Sequence, residues 1–74
     1  MENKILDIIN TVLKNNQKSE LDSLVPSFDL RKDIGFDSLD LAELTVRIEA
    51  EFGTDIFENG LVNTVEEIFE KLKR

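Results

Sequence analysis

Along the chain, apolar positions fall into runs with helical spacing, separated by irregular stretches. Ile5, Ile8, Ile9, Val12 and Leu13 recur at the i, i+3, i+4, i+7, i+8 spacing of one helical face. With Asn15 and Asn16 as terminators, this spacing predicts a first helix from about Glu2 to Lys14. From Gln17 to Gly35 the period loosens around Ser19, Pro26 and Ser27, while Leu21, Leu24, Val25, Phe28, Leu30 and Ile34 remain as apolar anchors. The stretch reads as a long loop, with room for a helical turn, pinned to the core at several points.

Asp37 suits an N-cap, Asp40 suits the first turn that follows, and Gly53 after Phe52 suits a left-handed stop, so a second helix spans about Ser38 to Phe52. The segment TDIFENGLVN offers at most a single turn near Phe57, ending at Asn59-Gly60. Thr64 and Glu67 then form a capping box for the last helix, whose buried face is Val65, Ile68, Phe69 and Leu72. Lys71, Lys73 and Arg74 lie in its last turn, where cations complement the helix dipole. There are no repeats and no strand-like alternation. The expected fold is all-α, a small bundle of three main helices plus one short third helix.

At about 100° per residue, the second helix carries two stripes. Leu41, Leu44, Thr45, Ile48 and Phe52 cluster on the side expected to face the core. Leu39, Ala42 and Val46 cluster nearly opposite, bordered by Asp40, Glu43 and Glu49. Either the preceding loop folds over this second strip and makes it core, or the strip is a docking surface for basic partners.

Composition narrows what such a bundle can do. Seventy-four residues with 41% apolar content and one proline fit one small domain over residues 1–74. With no cysteine there is no disulfide or thiolate metal site, and with no histidine the usual base for a serine nucleophile is missing. Catalysis by the chain itself is therefore the weakest reading. No run approaches the roughly 20 apolar residues of a bilayer span, and the N-terminal stretch mixes charges with apolar positions, which reads as a cytosolic protein rather than a signal peptide.

The net charge of −7 is concentrated. Asp37, Asp40, Glu43, Glu49, Glu51, Asp55 and Glu58 are opposed only by Arg47 in the segment 37–58, which holds six of the seven net charges. Such a field disfavours nucleic acid and anionic membranes and steers encounters with basic protein surfaces. A charged face kept for solubility is the plainer explanation. Glu49, Glu51 and Asp55 lack the spacing of a calcium-binding loop, so no metal site is read there.

Ser38 stands at the start of the second helix, where free backbone N–H groups favour a bound phosphate, although serine is also an ordinary helix-start residue. The stretch DIGFDSLDLAELTVRIEAEFGTDI closely resembles the signature of acyl carrier proteins, in which an Asp-Ser-Leu triplet follows a glycine. VPSFDLRKDIG resembles the segment ahead of that serine and NTVEEIFEKL the family's last helix, so the similarity runs from about Pro26 onward. The first helix fits by position and pattern only.

The resemblance implies that Ser38 bears 4′-phosphopantetheine, transferred from coenzyme A by a Mg²⁺-dependent phosphopantetheinyl transferase, and that the chain is a monomeric carrier of acyl thioesters rather than an enzyme. It also implies that Leu39, Ala42 and Val46 touch acyl-loading and acyl-transferring enzymes. Asp37, Asp40, Glu43 and Glu49 would meet basic docking patches there, with Arg47 altering the edge. The inner helix faces could part to shelter an acyl chain.

Several positions depart from the family's pattern. Arg47 replaces a small neutral residue, Phe57 stands where proline is common, Phe36 is bulkier than the usual alanine, and the segment from Phe57 to Asn63 is about two residues short. These departures point to a specialised lipid, polysaccharide or secondary-metabolite pathway rather than to general fatty acid biosynthesis. An aminoacyl, D-alanyl or peptidyl carrier, and an unmodified helical adaptor using only the acidic face, stay open as alternatives.

Overall fold

The structure is a computed structural model, and it describes residues 2–58, 60 and 62–73. Three helices are present among them: α1 (Glu2–Asn15), α2 (Ser38–Phe52) and α3 (Val65–Leu72). Helix α1 buries Ile5, Ile9, Val12 and Leu13, the spacing read from the sequence, while Ile8 is half-buried. Lys4 Nζ donates to Glu51 at 2.8 Å and Asn15 Nδ2 to Glu43 at 3.1 Å, so α1 and α2 lie antiparallel.

The end of α1 is built differently from expectation. Asn15 closes the helix, but the chain turns at Gln17, which takes a left-handed φ of 61°. Gln17 N–H donates to Lys14 O at 3.1 Å and Lys18 N–H to Leu13 O at 2.8 Å, the paired bonds of a Schellman end with glutamine where glycine is usual.

The boundaries of α2 agree with the sequence reading because both caps are local. The Asp37 carboxylate accepts from Asp40 N–H at 2.9 Å and Asp40 returns the bond from Asp37 N–H at 3.0 Å. Gly53, at φ 73°, donates its N–H to Glu49 O and ends the helix. A Cβ there would meet nothing within 4 Å, so any cost of substitution is conformational. Gly53→Ala is expected to destabilise the protein by about 1 kcal/mol, read as a lower midpoint in urea with an unchanged slope.

The loop between α1 and α2 enters the core instead of covering α2. Leu30 and Ile34 are buried, Leu21, Leu24 and Phe28 are half-buried, and Val25 is exposed. The expected helical turn is present at Asp29, whose carbonyl accepts from Asp33 N–H at 2.9 Å. A short antiparallel bridge pairs Asp29 with Thr64, with Leu30 N–H donating to Asn63 O at 2.8 Å and Val65 N–H to Phe28 O at 3.0 Å. The Thr64/Glu67 capping box forms as read, and Val65 and Ile68 are buried. Phe69 and Leu72 only lean on the core.

Among the described residues, the segment read as a short third helix forms turns. The Asp55 side chain accepts from Phe57 N–H at 2.9 Å, and Glu58 N–H and Gly60 N–H make successive three-residue turn bonds to Asp55 O and Phe57 O. Ile56 is fully buried there as a single anchor. Asn59, read as part of the turn's end, and Arg74 lie outside the described residues. Phe36, Ile56 and Val62 join α1, α2 and α3 in one apolar cluster, so the bulk noted at Phe36 is core.

Candidate functional site

Ser38 is the first residue of α2 and is exposed. Next to it, Leu39 and Val46 keep 80% and 63% of their surface, and Ala42 is exposed too, so the second stripe is uncovered as the docking alternative requires. The opposite stripe, Leu41, Leu44 and Ile48, is buried, with Thr45 and Phe52 half-buried. Thr45 Oγ1 is spent on Leu41 O at 2.8 Å.

Beside Ser38 opens a groove of about 260 Å³ between α2 and the turn segment. Its walls are apolar through Leu41, Ala42, Phe57 and Val62, and Arg31 and Asn63 supply donors. Asp29 aims this edge: its carboxylate accepts from Arg31 N–H at 2.9 Å and Lys32 N–H at 2.8 Å. These two bonds, that from Lys32 foremost, hold the Asp29 carboxyl below its ordinary pKa against the opposing effect of burial.

The acidic border differs in part from expectation. Asp37 and Glu49 are exposed, but Glu43 is half-buried and engaged by Asn15 and, at 2.9 Å, by Arg47 Nε. Those two contacts lower its pKa, the Asn15 bond most. Asp40, expected among the partner-facing carboxylates, is buried, being only 2% exposed. Its carboxylate turns inward to accept from Asn16 Nδ2, Lys18 Nζ and Asp37 N–H, because the third residue of a capping box must reach back over the helix start. The Asp-x-x-Asp spacing carried that signal. The partners from Asn16 and Lys18, more than twenty residues away, did not show in it.

Burial alone would raise the Asp40 pKa, but the Lys18 and Asp37 bonds outweigh it and hold the carboxyl below its ordinary value. A depressed folded pKa contributes stability that is fully present above the unfolded value and is lost as pH falls through the folded one. Thermal melts are therefore expected to hold level near neutrality and to drop below about pH 4, with a shallower acid limb in Asp40→Asn. Equal acid limbs in the two proteins would remove Asp40 as a source of the effect.

An exposed serine at a helix start, an apolar groove beside it with an arginine on its edge, and an uncovered apolar stripe on the same helix fit a tethered, phosphate-linked arm. Residues 3–71 match the model of the family described as Phosphopantetheine attachment site. The chain belongs to that family. The group the family takes is 4′-phosphopantetheine, bound covalently. Among relatives, the acyl carrier protein 2, mitochondrial, of Arabidopsis thaliana is 34% identical over 58 residues, covering 78% of this chain and 46% of that protein. The chain thus spans about half the length of that curated relative. The phosphopantetheine-binding carrier family, read as a resemblance from the sequence, is borne out. Among the described residues, no helix of this carrier-family chain is long and apolar enough to cross a membrane, and no three acidic side chains are placed to hold a metal ion.

Proposed function

We propose that this chain carries acyl groups between partner enzymes on 4′-phosphopantetheine attached to the Ser38 hydroxyl. The observation that carries the proposal is the exposed Ser38 at the head of α2, within the family match and beside the Arg31-edged groove. When bound, the group supplies a terminal thiol that holds an acyl group as a thioester, a function this cysteine-free chain lacks.

The chain's own residues present and receive. The free N–H groups of the first turn of α2 favour an anion on Ser38, and Arg31 adds a cation on the same groove. Leu41, Ala42, Phe57 and Val62 offer apolar contact to whatever lies along the groove. Tethering raises the effective concentration of the cargo at each partner without a new contact. Leu39, Ala42 and Val46 form the contact surface, and Asp37, Glu43 and Glu49 steer basic partners toward it, which gives fast encounter and modest affinity.

The finer assignment is a carrier dedicated to a specialised pathway rather than to general fatty-acid synthesis. Arg47, exposed on α2 and paired with Glu43, puts a positive group on the edge that partners read, and Phe57 lines the groove where proline is common in the family. The test is intact-protein mass spectrometry after incubation with coenzyme A, Mg²⁺ and a broad-specificity phosphopantetheinyl transferase. One added phosphopantetheine supports the carrier. None, with the transferase active on another carrier and this chain folded, turns the reading to an unmodified adaptor.

A further inference from the structure

Asp40 is the buried carboxylate for which carrier function gives no use. Every polar contact it makes lies at the head of α2 or at the end of α1. Asn16 Nδ2 reaches one oxygen, and Lys18 Nζ and Asp37 N–H reach the other. The same Lys18 ammonium donates to Gly35 O at 2.8 Å and sits 4.0 Å from the Asp37 carboxylate. One cation therefore joins the residue three before Ser38, the residue immediately before it and the residue two after it.

Lys18 is delivered there by backbone geometry. The left-handed turn at Gln17 reverses the chain after α1, and the bond from Lys18 N–H to Leu13 O fixes where the side chain starts. Neither Asn16 nor Lys18 touches the apolar stripe of α2 through these bonds, so their effect is local to its first turn.

Helix starts fray, because the first N–H groups have no partner within the helix. In α2 that turn carries Ser38 and Leu39 outward, with Asp40 as the inward anchor between them and the core. A buried carboxylate is tolerable only while paired, so unwinding this turn costs the bonds to Lys18 and Asn16 together.

We infer that Lys18 and Asp40 form a latch that positions Ser38 for modification, Lys18 acting as a positioning residue through Asp40. The inference rests on the carrier reading above. The latch also keeps Asp40 out of the surface offered to partners, so steering falls to the remaining carboxylates.

The test uses the full chain with Lys18→Met and Lys18→Arg. Amide exchange at Asp40 and Leu41, whose N–H groups are bonded to Asp37, is expected to speed up about tenfold in Lys18→Met while the Leu44–Ile48 stretch is unchanged. The kcat/KM for transfer of phosphopantetheine from coenzyme A is expected to fall roughly five- to tenfold. Lys18→Arg is expected to restore both to within about twofold, since it keeps the cation. Uniformly faster exchange along the whole chain would make Lys18 a general stabiliser and overturn the latch. An unchanged transfer rate in Lys18→Met, with the wild type modified normally, would sink the positioning role alone. A wild type that takes up no phosphopantetheine removes the carrier reading and this role with it. Should Lys18→Met fail to fold, Asp40→Asn, which keeps the size of the anchor and removes its charge, is put to the same two measurements.

Discussion

Ser38→Ala is expected to abolish the mass gain of one phosphopantetheine altogether while leaving the fold intact. The side chain is exposed and occupies a helix-start position, so its loss changes stability by no more than about 0.5 kcal/mol. Other hydroxyls do not offer a substitute. Thr11 and Thr45 donate to carbonyls of their own helices at 2.8 Å, and Thr64 caps α3. Ser19, Ser23 and Ser27 are exposed but lie in the α1–α2 loop, and half-buried Thr54 follows the end of α2, so none has a helix N-terminus behind it. Mass spectrometry of the variant after the transferase reaction, beside a thermal melt, decides the matter. A residual gain in Ser38→Ala would relocate the attachment point, and a protein that functions normally without the serine would be an adaptor.

The second large effect concerns the scaffold. Leu44 is fully buried on the inner stripe of α2, and Leu44→Ala is expected to cost about 2–5 kcal/mol through lost transfer energy and the cavity left behind. At about 0.05–0.15 kcal/mol per residue, a chain of 74 residues has a total stability of only about 4–11 kcal/mol. The variant should therefore sit near or past the point of unfolding at room temperature. With a slope near 1 kcal/mol per molar in urea, the midpoint should fall by about 2 M or more. Val46→Ala, on the exposed stripe of the same helix, should move it by less than about 0.5 M. Similar shifts in both variants would mean that the second stripe is covered after all.

Why these features were readable is a matter of distance along the chain. The Asp37 cap, the Gly53 stop and the Thr64/Glu67 box are each set by residues within four positions, so α2 and the start of α3 were legible to the residue. The two stripes of α2 followed from helical spacing alone. The Lys18–Asp40 pair depends on where two separate segments meet, and no local pattern encodes that. Gln17 hid its role because glutamine is an unusual choice for a left-handed turn, which Asn15 and Asn16 seemed better placed to supply. The segment after Gly53 was read as one short helix because Phe57 and its neighbours permit it. Asp55 closes a turn over Phe57 instead, and Ile56 plugs the core. Arg31 drew no reading of its own from the sequence, since its place at the groove depends on the turn made by Asp29.

The bridge between the loop and the start of α3 also bears on how the molecule opens. With eight residues, α3 is shorter than the roughly 12–15 that an isolated helix needs in water. It keeps its shape only while Phe28 and Leu30 bond to Val65 and Asn63 and Pro26 O accepts from Glu66 N–H. Loop and helix are therefore tied to each other by backbone bonds as well as through the shared core. Because Val62 and Asn63 wall the groove beside Ser38 and Asn63 O takes the bond from Leu30, the packing that holds α3 in place also sets the shape of that groove.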